Sequence, residues 1–160
     1  MTEKTTGVLE DRKKKTEALK TLGIRLYPAG FRCELTISEA LDRFGGLDSE
    51  TLEKAKDSYK LAGRIMGLRD FGKACFIHIK DRTGRIQAYV RKDKVGEDKY
   101  KIFKLMDLGD FIGLQGTFFR TKTGELTLLA DDVNLLSKSM RPLPEKWHGL
   151  SDVETRYRQR

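Results

Sequence analysis

The chain has 160 residues, of which 38% are hydrophobic and 35% are charged, and its formal net charge is +8. This length allows one domain with a real core plus appendages, and the apolar content argues against a disordered tail. No apolar run approaches the roughly 20 residues that cross a bilayer, and residues 1–9 lack the pattern of a secretory signal. The composition therefore predicts a cytoplasmic protein without a membrane partner.

The positive charge is concentrated in one stretch of the chain. Residues 60–104 hold 13 Lys or Arg and five Asp or Glu. The net charge of this stretch is therefore +8, the same as that of the whole chain. A local excess of this kind favours a polyanionic partner, although a basic surface with no partner would have the same composition.

The cysteines and histidines do not form a recognisable metal or disulfide pattern. Cys33 and Cys75 lie far apart and neither belongs to a CxxC pair. Without a secretory signal, they are expected to be reduced thiols. His78 and His148 are also isolated from each other, so no metal site is predicted.

The first predicted element is a basic helix over residues 8–22, which contains Lys13, Lys14 and Lys15. Polar residues interrupt its apolar stripe, which predicts a solvated helix that docks at most by its C-terminal end. Its lysines would either contact phosphates or simply stay solvated.

Two short helices are predicted next. Thr36 and Glu39 match a capping box, and Gly45-Gly46 ends the helix that follows it. Residues 49–56 form a third helix. We therefore assign residues 1–57 to a helical extension.

From residue 59 the apolar periodicity changes to that of strands. Strands are predicted over residues 59–69, 74–80, 85–91, 111–121 and 125–130, and the last of these can resume through 133–135. A helix over residues 97–106 separates the third strand from the fourth. Three strands, a helix and two strands is the order of the OB-fold, a five-stranded Greek-key barrel. The predicted fold is therefore mainly β, with an OB-fold over residues 58–137 preceded by short N-terminal helices.

Strand alternation predicts which side chains point outward. The apolar residues of the second and third strands must face the core, and they are Cys75, Ile77, Ile79, Ile86, Ala88 and Val90. The outward side chains are then Phe76, His78, Lys80, Arg85, Gln87, Tyr89 and Arg91. Pairing through the Asp81–Gly84 turn places both outward sets on one surface.

That surface combines aromatic rings with cations, which suits single-stranded nucleic acid. Aromatic faces stack on bases at roughly 1–3 kcal/mol each, while cations follow the phosphates. Phe76 is the most telling residue, because an outward Phe loses its burial unless something covers it. A loop or the N-terminal helix would be the alternative cover, but OB-folds use this face for oligonucleotides. His78 is expected to make a polar contact rather than to bind a metal.

Two residues could select bases. The amide of Gln87 carries a donor and an acceptor, which matches the acceptor oxygen and N3–H of uracil and fails for cytosine in the same pose. Glu125 is an acceptor only and could take the N3–H of a second uracil. On residue chemistry alone, a plain acid beside a turn is the favoured interpretation of Glu125.

Several strings in this sequence resemble the anticodon-binding domain of bacterial-type class II lysyl-tRNA synthetases. They are Ala62–Met66 (AGRIM), Gly72–Ala74 (GKA), Asp81–Tyr89 (DRTGRIQAY), Asp107–Asp110 (DLGD) and Lys122–Leu126 (KTGEL). The tail over residues 135–160 resembles the hinge that leads into the first class II signature motif. The sister aspartyl and asparaginyl enzymes share the barrel, the Phe and the Gln, so the lysine assignment rests on TKTGEL and RPLPEKWHGL. The resemblance leads us to expect Ser or a similar small residue at position 75, where this chain has Cys75. This difference is expected to affect packing and not RNA recognition.

The resemblance implies a role for each of four residues. Phe76 would stack on the central anticodon base, Gln87 would hydrogen-bond that uridine, and Arg69 would assist. Glu125 would read the first anticodon position. Auxiliary RNA contacts are predicted for Lys13, Lys14, Lys15, His78, Lys80, Arg85, Tyr89 and Arg91.

The resemblance also implies where the chemistry of the family takes place. ATP, magnesium and lysine would bind in a catalytic domain that begins just past Arg160, so this chain is expected to hold no catalytic residue and no cofactor. Residues 138–160 would be a hinge and the truncated start of that domain, loosely ordered from about residue 145. The parent enzyme is expected to be a homodimer and this chain a monomer.

The resulting hypothesis is a tRNA anticodon-binding domain with no activity of its own. A stand-alone OB-fold protein that binds single-stranded nucleic acid without sequence choice is the main alternative. A protein-interaction module, in which a partner covers Phe76 and Tyr89, is a third. An intact enzyme is the hypothesis with the least support, because no catalytic motif is present.

Overall fold

The computed structural model describes residues 3–142 of the chain. Three helices come first, α1 (Glu3–Thr21), α2 (Ile37–Phe44) and α3 (Ser49–Lys54). The remaining elements are β1 (Tyr59–Asp70), β2 (Ala74–Lys80), β3 (Arg85–Arg91), α4 (Lys92–Val95), α5 (Glu97–Lys104), β4 (Phe111–Arg120) and β5 (Leu126–Ser137). Most of the predicted hinge, and the loose order predicted from about residue 145, lie outside the described residues.

The five strands close into a barrel in the order β1-β2-β3-β5-β4. All neighbouring strands are antiparallel except β3 and β5, which run parallel. Helices α4 and α5 occupy the connection between β3 and β4. The structure thus confirms the predicted five-stranded OB-fold barrel preceded by helices.

The strand bounds follow the sequence pattern closely, with one notable difference. The predicted bounds of β2 and β3 are confirmed, and those of β1 and β4 differ by one residue. β5 runs without interruption to Ser137, because it pairs with the whole of β4 and absorbs two irregularities, opposite Phe111–Ile112 and Gln115–Gly116. The helix predicted over residues 97–106 is α5, which ends two residues earlier, and a short helix that was not predicted, α4, precedes it across Gly96, whose φ of 86° favours glycine.

The barrel core consists of the inward side chains of all five strands. The six residues predicted to face inward on β2 and β3 are all buried. Leu61, Ile65, Ile112, Leu114 and Leu128 are completely buried beside them. Burial of each such side chain contributes about 1.5–3 kcal/mol, so this core fixes the strand register and therefore which residues face outward.

Helix α2 and the β2–β3 turn hold each other in place. Thr36 and Glu39 form the predicted capping box. The Asp81 carboxylate accepts hydrogen bonds from the backbone N–H of Ile37 at 2.9 Å and from the backbone of its own turn. The turn that joins the two outward sets of side chains is thus anchored from both sides.

Helix α1 differs from the prediction of a solvated helix docked only at its end. Arg12 is buried, and its guanidinium donates to the backbone oxygens of Leu108 and Ser139 at 2.8 Å and of Arg141 at 3.0 Å. Thr16 and Leu19 are buried on the same helix. The prediction was wrong because a long polar side chain occupies the inner face and finds carbonyl partners there.

The loop before β4 forms a buried ion network beneath α1. The Lys138 ammonium is completely buried and lies 2.7 Å from both the Asp107 and the Asp110 carboxylate. Lys15 also pairs with Asp107. Burial works to raise the pKa of Asp107, but the hydrogen bonds from Lys138 and Lys15 outweigh it and lower that pKa.

Both thiols are free, and they differ in access. Cys33 is exposed, whereas Cys75 faces the core, and burial raises the pKa of Cys75 to about 11. Among the described residues, no helix is both long and apolar enough to cross a membrane.

Candidate nucleic-acid interface

The outer face of the barrel carries a groove that we call the aromatic groove. Its volume is about 460 Å³. It is lined by Arg69, Phe71, Phe76, Gln87, Tyr89, Phe119, Thr121, Lys122, Thr123 and Glu125. The structure therefore brings together the four principal residues that the sequence singled out.

Strand register explains why these side chains meet. Phe76 of β2 lies directly opposite Arg69 of β1 on one side and Tyr89 of β3 on the other. Gln87 of β3 lies opposite Thr127 of β5 through the parallel pair. Because side chains alternate along each strand, Gln87 and Tyr89 share one face, and β5 adds its first residues to that face.

Four aromatic rings form one side of the groove. Phe76 and Tyr89 stack with their ring centroids 4.2 Å apart and their planes 15° apart. Phe71 meets Phe76 edge-on at 6.1 Å, and Phe119 lies tilted against Tyr89 at 6.3 Å. Phe71 remains 67% exposed. The rings offer a continuous apolar surface on which a base can stack.

The rest of the groove lining includes polar side chains that hydrogen-bond one another. Gln87 donates from Nε2 to a Glu125 carboxylate oxygen at 3.0 Å, and its Oε1 accepts from the Thr127 hydroxyl at 2.9 Å. His78 Nε2 lies 3.4 Å from the other oxygen of Glu125. Among the described side chains, no buried polar atom lacks a hydrogen-bond partner.

Gln87 is less accessible than the strand pattern alone suggests. It shares the groove with Phe76, as predicted, but only 8% of it is exposed. The reason is the neighbouring strand: β5 runs parallel beside β3 and covers Gln87 with Thr127 and Glu125. An amide so enclosed is held in one orientation, which suits selective recognition more than nonspecific contact.

Two cations stand beside the groove. Arg69 and Lys122 are exposed and line it. They can approach phosphates while the rings hold the bases. Glu125, the residue just before β5, is the acidic member of the lining and can accept a hydrogen bond from a base.

The auxiliary residues predicted from the sequence fall in several places. Tyr89 lies in the groove. His78 lies beside Glu125, with its Nε2 3.4 Å from the Glu125 carboxylate. Lys80 and Arg85 are exposed and paired opposite each other at the turn end of the β2–β3 hairpin. Arg91 binds the Asp93 carboxylate through two nitrogens, at 2.6 and 3.0 Å.

The structure does not bring the lysines of α1 to the groove. Helix α1 docks on the loop that precedes β4, whereas Phe119 lies at the other end of that strand. β4 has 10 residues, so at about 3.3 Å per residue its ends lie roughly 30 Å apart. Lys13 and Lys14 are exposed, and Lys15 pairs with Asp107.

Sequence reasoning missed three groove residues that carried a signal. Phe71 is a large apolar residue inside a tight turn before Gly72, where burial is not available. Phe119 follows Phe118, and alternation forces one of two adjacent aromatics outward. Lys122 belongs to the turn whose Glu125 was already singled out.

No metal-binding arrangement accompanies the groove. Within residues 3–142, no group of three or more His, Cys, Asp or Glu side chains is placed to hold a metal ion.

Comparison with known proteins agrees with this geometry. Residues 59–136 match a family model described as an OB-fold nucleic acid binding domain. The lysine–tRNA ligase of Anaeromyxobacter sp. (strain K) is 46% identical over 153 residues, which cover 96% of this chain and 30% of that protein. The lysine–tRNA ligase of Listeria welshimeri is 51% identical over 149 residues, covering 93% of this chain and 30% of that protein.

A third relative shows the same partial coverage. The lysine–tRNA ligase of Thermotoga maritima is 48% identical over 153 residues, or 94% of this chain and 30% of that protein. The chain thus spans about 30% of the length of the curated relatives it matches. On its barrel, its groove and these matches, residues 59–136 belong to the OB-fold nucleic acid binding domain family, and the chain matches the N-terminal part of lysine–tRNA ligases as an anticodon-binding OB-fold domain.

Proposed function

We propose that this chain binds the anticodon loop of lysine tRNA and that its aromatic groove selects uridine there. The observation that carries this proposal is that Phe76, Gln87 and Glu125 line one groove with Arg69 beside them. This set supplies a stacking ring, an amide with a donor and an acceptor, an acid that only accepts, and a cation.

Each of these groups has a distinct task in the proposal. Phe76 stacks on the central anticodon base at about 1–3 kcal/mol. Gln87 pairs with the edge of that uracil, and Glu125 accepts the N3–H of the first anticodon base. Arg69 and Lys122 neutralise phosphates, which adds affinity without sequence preference.

Binding without sequence choice is the second candidate, and the polar side of the groove argues against it. A nonspecific single-strand binder needs rings and cations only. An amide that is 8% exposed and fixed by two partners adds little to nonspecific affinity. It is, however, what discrimination between bases requires, because a buried polar group left unpaired by the wrong base is costly.

The relatives support a proposal for the wider setting of the domain. In the longer ligase, we propose that this domain holds the tRNA so that its acceptor end reaches a catalytic part that uses ATP, magnesium and lysine. Residues 58–137 would be the RNA-binding unit, residues 1–57 a helical extension, and residues 138–160 the connection onward. The ligase would act in the cytoplasm as a homodimer, with this chain alone a monomer.

The test compares two anticodon stem-loops that differ only in having uridine or cytidine at the central position. Replacing Gln87 by Ala should weaken binding of the uridine stem-loop about tenfold and leave that of the cytidine stem-loop nearly unchanged, because one matched hydrogen-bonded pair is lost. Titration of the full chain by fluorescence anisotropy measures both dissociation constants.

The matched control is Gln115→Ala, a glutamine on β4 that does not line the groove. It should change neither dissociation constant. Equal losses for the uridine and cytidine stem-loops on replacement of Gln87 would refute the readout.

A further inference from the structure

We infer that three cations beside the aromatic groove bind the phosphates of the RNA strand where it leaves the groove. They are Arg64 of β1, Lys80 of β2 and Arg85 of β3, which we call the basic row. The sequence predicts RNA contacts for Lys80 and Arg85, and the barrel register adds Arg64 to them. The inference rests on the proposed function only in that RNA occupies the groove.

Strand register places the three cations side by side on the outer face of the barrel. Lys80 lies directly opposite Arg64 in the β1–β2 pair and directly opposite Arg85 in the β2–β3 pair. Residues that lie opposite each other in a sheet have their side chains on the same face. The next residues along these strands are buried, which directs the basic row outward, and they are Ile65, Ile79 and Ile86.

The basic row continues the face that carries the groove. Lys80 is four residues from Phe76 on β2, so at about 3.3 Å per residue the row lies roughly 13 Å from the stacking ring. Between them on β2 is His78, and its neighbour on β1 is Gly67, which adds no side chain there. A strand of a nucleic-acid helix carries a phosphate about every 3.4 Å of the helix axis. Phosphates next to the anticodon can therefore reach the row while a base stacks on Phe76.

The charge of the basic row is not compensated within the described part of the chain. None of its three members forms an ion pair with a described carboxylate, whereas other cations around the barrel do, as in Arg91–Asp93, Lys99–Asp132 and Lys104–Asp70. Asp81, the acid next to Lys80, directs its carboxylate to backbone N–H groups of α2 and of its own turn. Like charges directly opposite each other destabilise a sheet, and a polyanion would relieve that repulsion.

Arg64 is held in a position from which it can bind a phosphate. Its guanidinium carbon lies 4.5 Å from the centroid of the Phe111 ring, which is its neighbour on β4. A guanidinium over an aromatic face keeps in-plane N–H donors at its edge, and such donors bind phosphate oxygens in pairs. Beside it is an open hollow of about 560 Å³, which is lined by Arg64, Met66, Lys80, Asp81, Arg82 and Phe111.

The experiment measures how salt affects the binding of the full chain to the uridine and cytidine stem-loops. Arg64→Gln and Lys80→Gln should each reduce the slope of log affinity against log salt by about one. The advantage of wild type over each variant should then grow about threefold for a roughly fourfold dilution of salt. Both stem-loops should weaken alike, because a phosphate contact carries no sequence information. Lys20→Gln on α1 is the control and should change neither the slope nor the affinity.

A second measurement identifies the phosphates that the basic row binds. One uncharged methylphosphonate linkage is placed at successive positions beside the anticodon of the stem-loop. At the positions that contact the row, the neutral linkage should weaken binding to wild type and have little further effect on Arg64→Gln or Lys80→Gln. Equal effects on wild type and on both variants at every position would overturn the inference.

A stability measurement separates loss of binding from loss of structure. Lys80 and Arg85 are exposed and repel each other across the hairpin. Lys80→Gln and Arg85→Gln should therefore unfold at the same urea concentration as wild type or at a higher one, although they bind RNA more weakly. These two variants also keep the inference testable if Arg64→Gln does not fold.

The outcomes distinguish this inference from the proposed readout of uridine. Unchanged salt slopes in Lys80→Gln and Arg85→Gln would overturn the inference and assign the basic row to an acidic protein surface. The proposed function would still stand if Gln87→Ala removed the uridine preference. A reduced slope together with no uridine preference in wild type would support the basic row and refute the readout.

Discussion

At the scale of single residues, Glu125 links the two bases that the groove is proposed to read. One of its carboxylate oxygens accepts from Gln87, and the other lies 3.4 Å from His78. A base that draws Glu125 toward itself must therefore alter the surroundings of Gln87. The readouts of neighbouring anticodon positions should not be independent.

A double-mutant cycle measures this dependence. The lysine anticodon stem-loop is titrated with four proteins: the unchanged chain, the two single variants Glu125→Ala and Gln87→Ala, and the double variant. Because the two side chains share a hydrogen bond, we expect an interaction energy of about 0.5–3 kcal/mol. Losses that add to within about 0.5 kcal/mol would show that the two residues act separately.

A groove residue can be predicted from the sequence when its own strand determines where its side chain points. Phe76 and the outward side of Gln87 follow from alternation along β2 and β3, which apolar neighbours fix. Thr127 does not, because its partner is 40 residues away and meets it only through the parallel β3–β5 register. Period-two alternation gives the face of a residue but not its neighbour on the next strand.

At the scale of elements, α1 is joined to the loop before β4 and to the segment that leaves β5. Arg12 binds carbonyls on both, and Lys138 binds both carboxylates of that loop. Apolar periodicity missed this attachment because the contacts are made by Arg and Lys side chains that a hydropathy pattern counts as solvated. The attached helix fixes where the chain exits the barrel.

Replacing Lys138 by Met should destabilise the fold strongly. The change leaves two carboxylates beneath α1 with no cation at that position, at a cost of about 3–5 kcal/mol in the free energy of unfolding. Urea denaturation at pH 7 measures the loss. Lys54→Met is the control, because Lys54 pairs with Glu50 on the open surface, where such a pair contributes at most about 0.5 kcal/mol. A loss below about 1 kcal/mol for Lys138→Met would show that the network contributes little net stability.

At the scale of the whole molecule, two pairs of cations that are proposed to contact RNA lie toward opposite ends of β4. Arg69 and Lys122 stand at the groove, while Lys13 and Lys14 stand on α1 at the far end of β4. An anticodon stem-loop seated in the groove reaches the first pair directly. Only a longer RNA can reach the second pair at the same time.

Salt dependence separates these two contributions. Lys122→Gln should reduce the slope of log affinity against log salt by about one for a stem-loop, since one phosphate contact is lost. The joint change Lys13→Gln and Lys14→Gln should leave the stem-loop slope unchanged and flatten that of full-length tRNA, weakening different tRNAs alike. An equal effect of the α1 lysines on both RNAs would contradict the division of charge.

The parallel pairing of β3 with β5 has a consequence for how binding competence arises during synthesis. The groove draws on residues from Arg69 to Glu125, and Gln87 acquires its hydroxyl partner only when β5 is in place. While the ribosome is still making this chain, the first three strands can emerge and form their antiparallel ladder without creating a selective pocket. If the groove discriminates between bases as proposed, that discrimination arises only in the finished domain, because a nascent polypeptide that lacks its last strand also lacks Thr127 as the partner of Gln87.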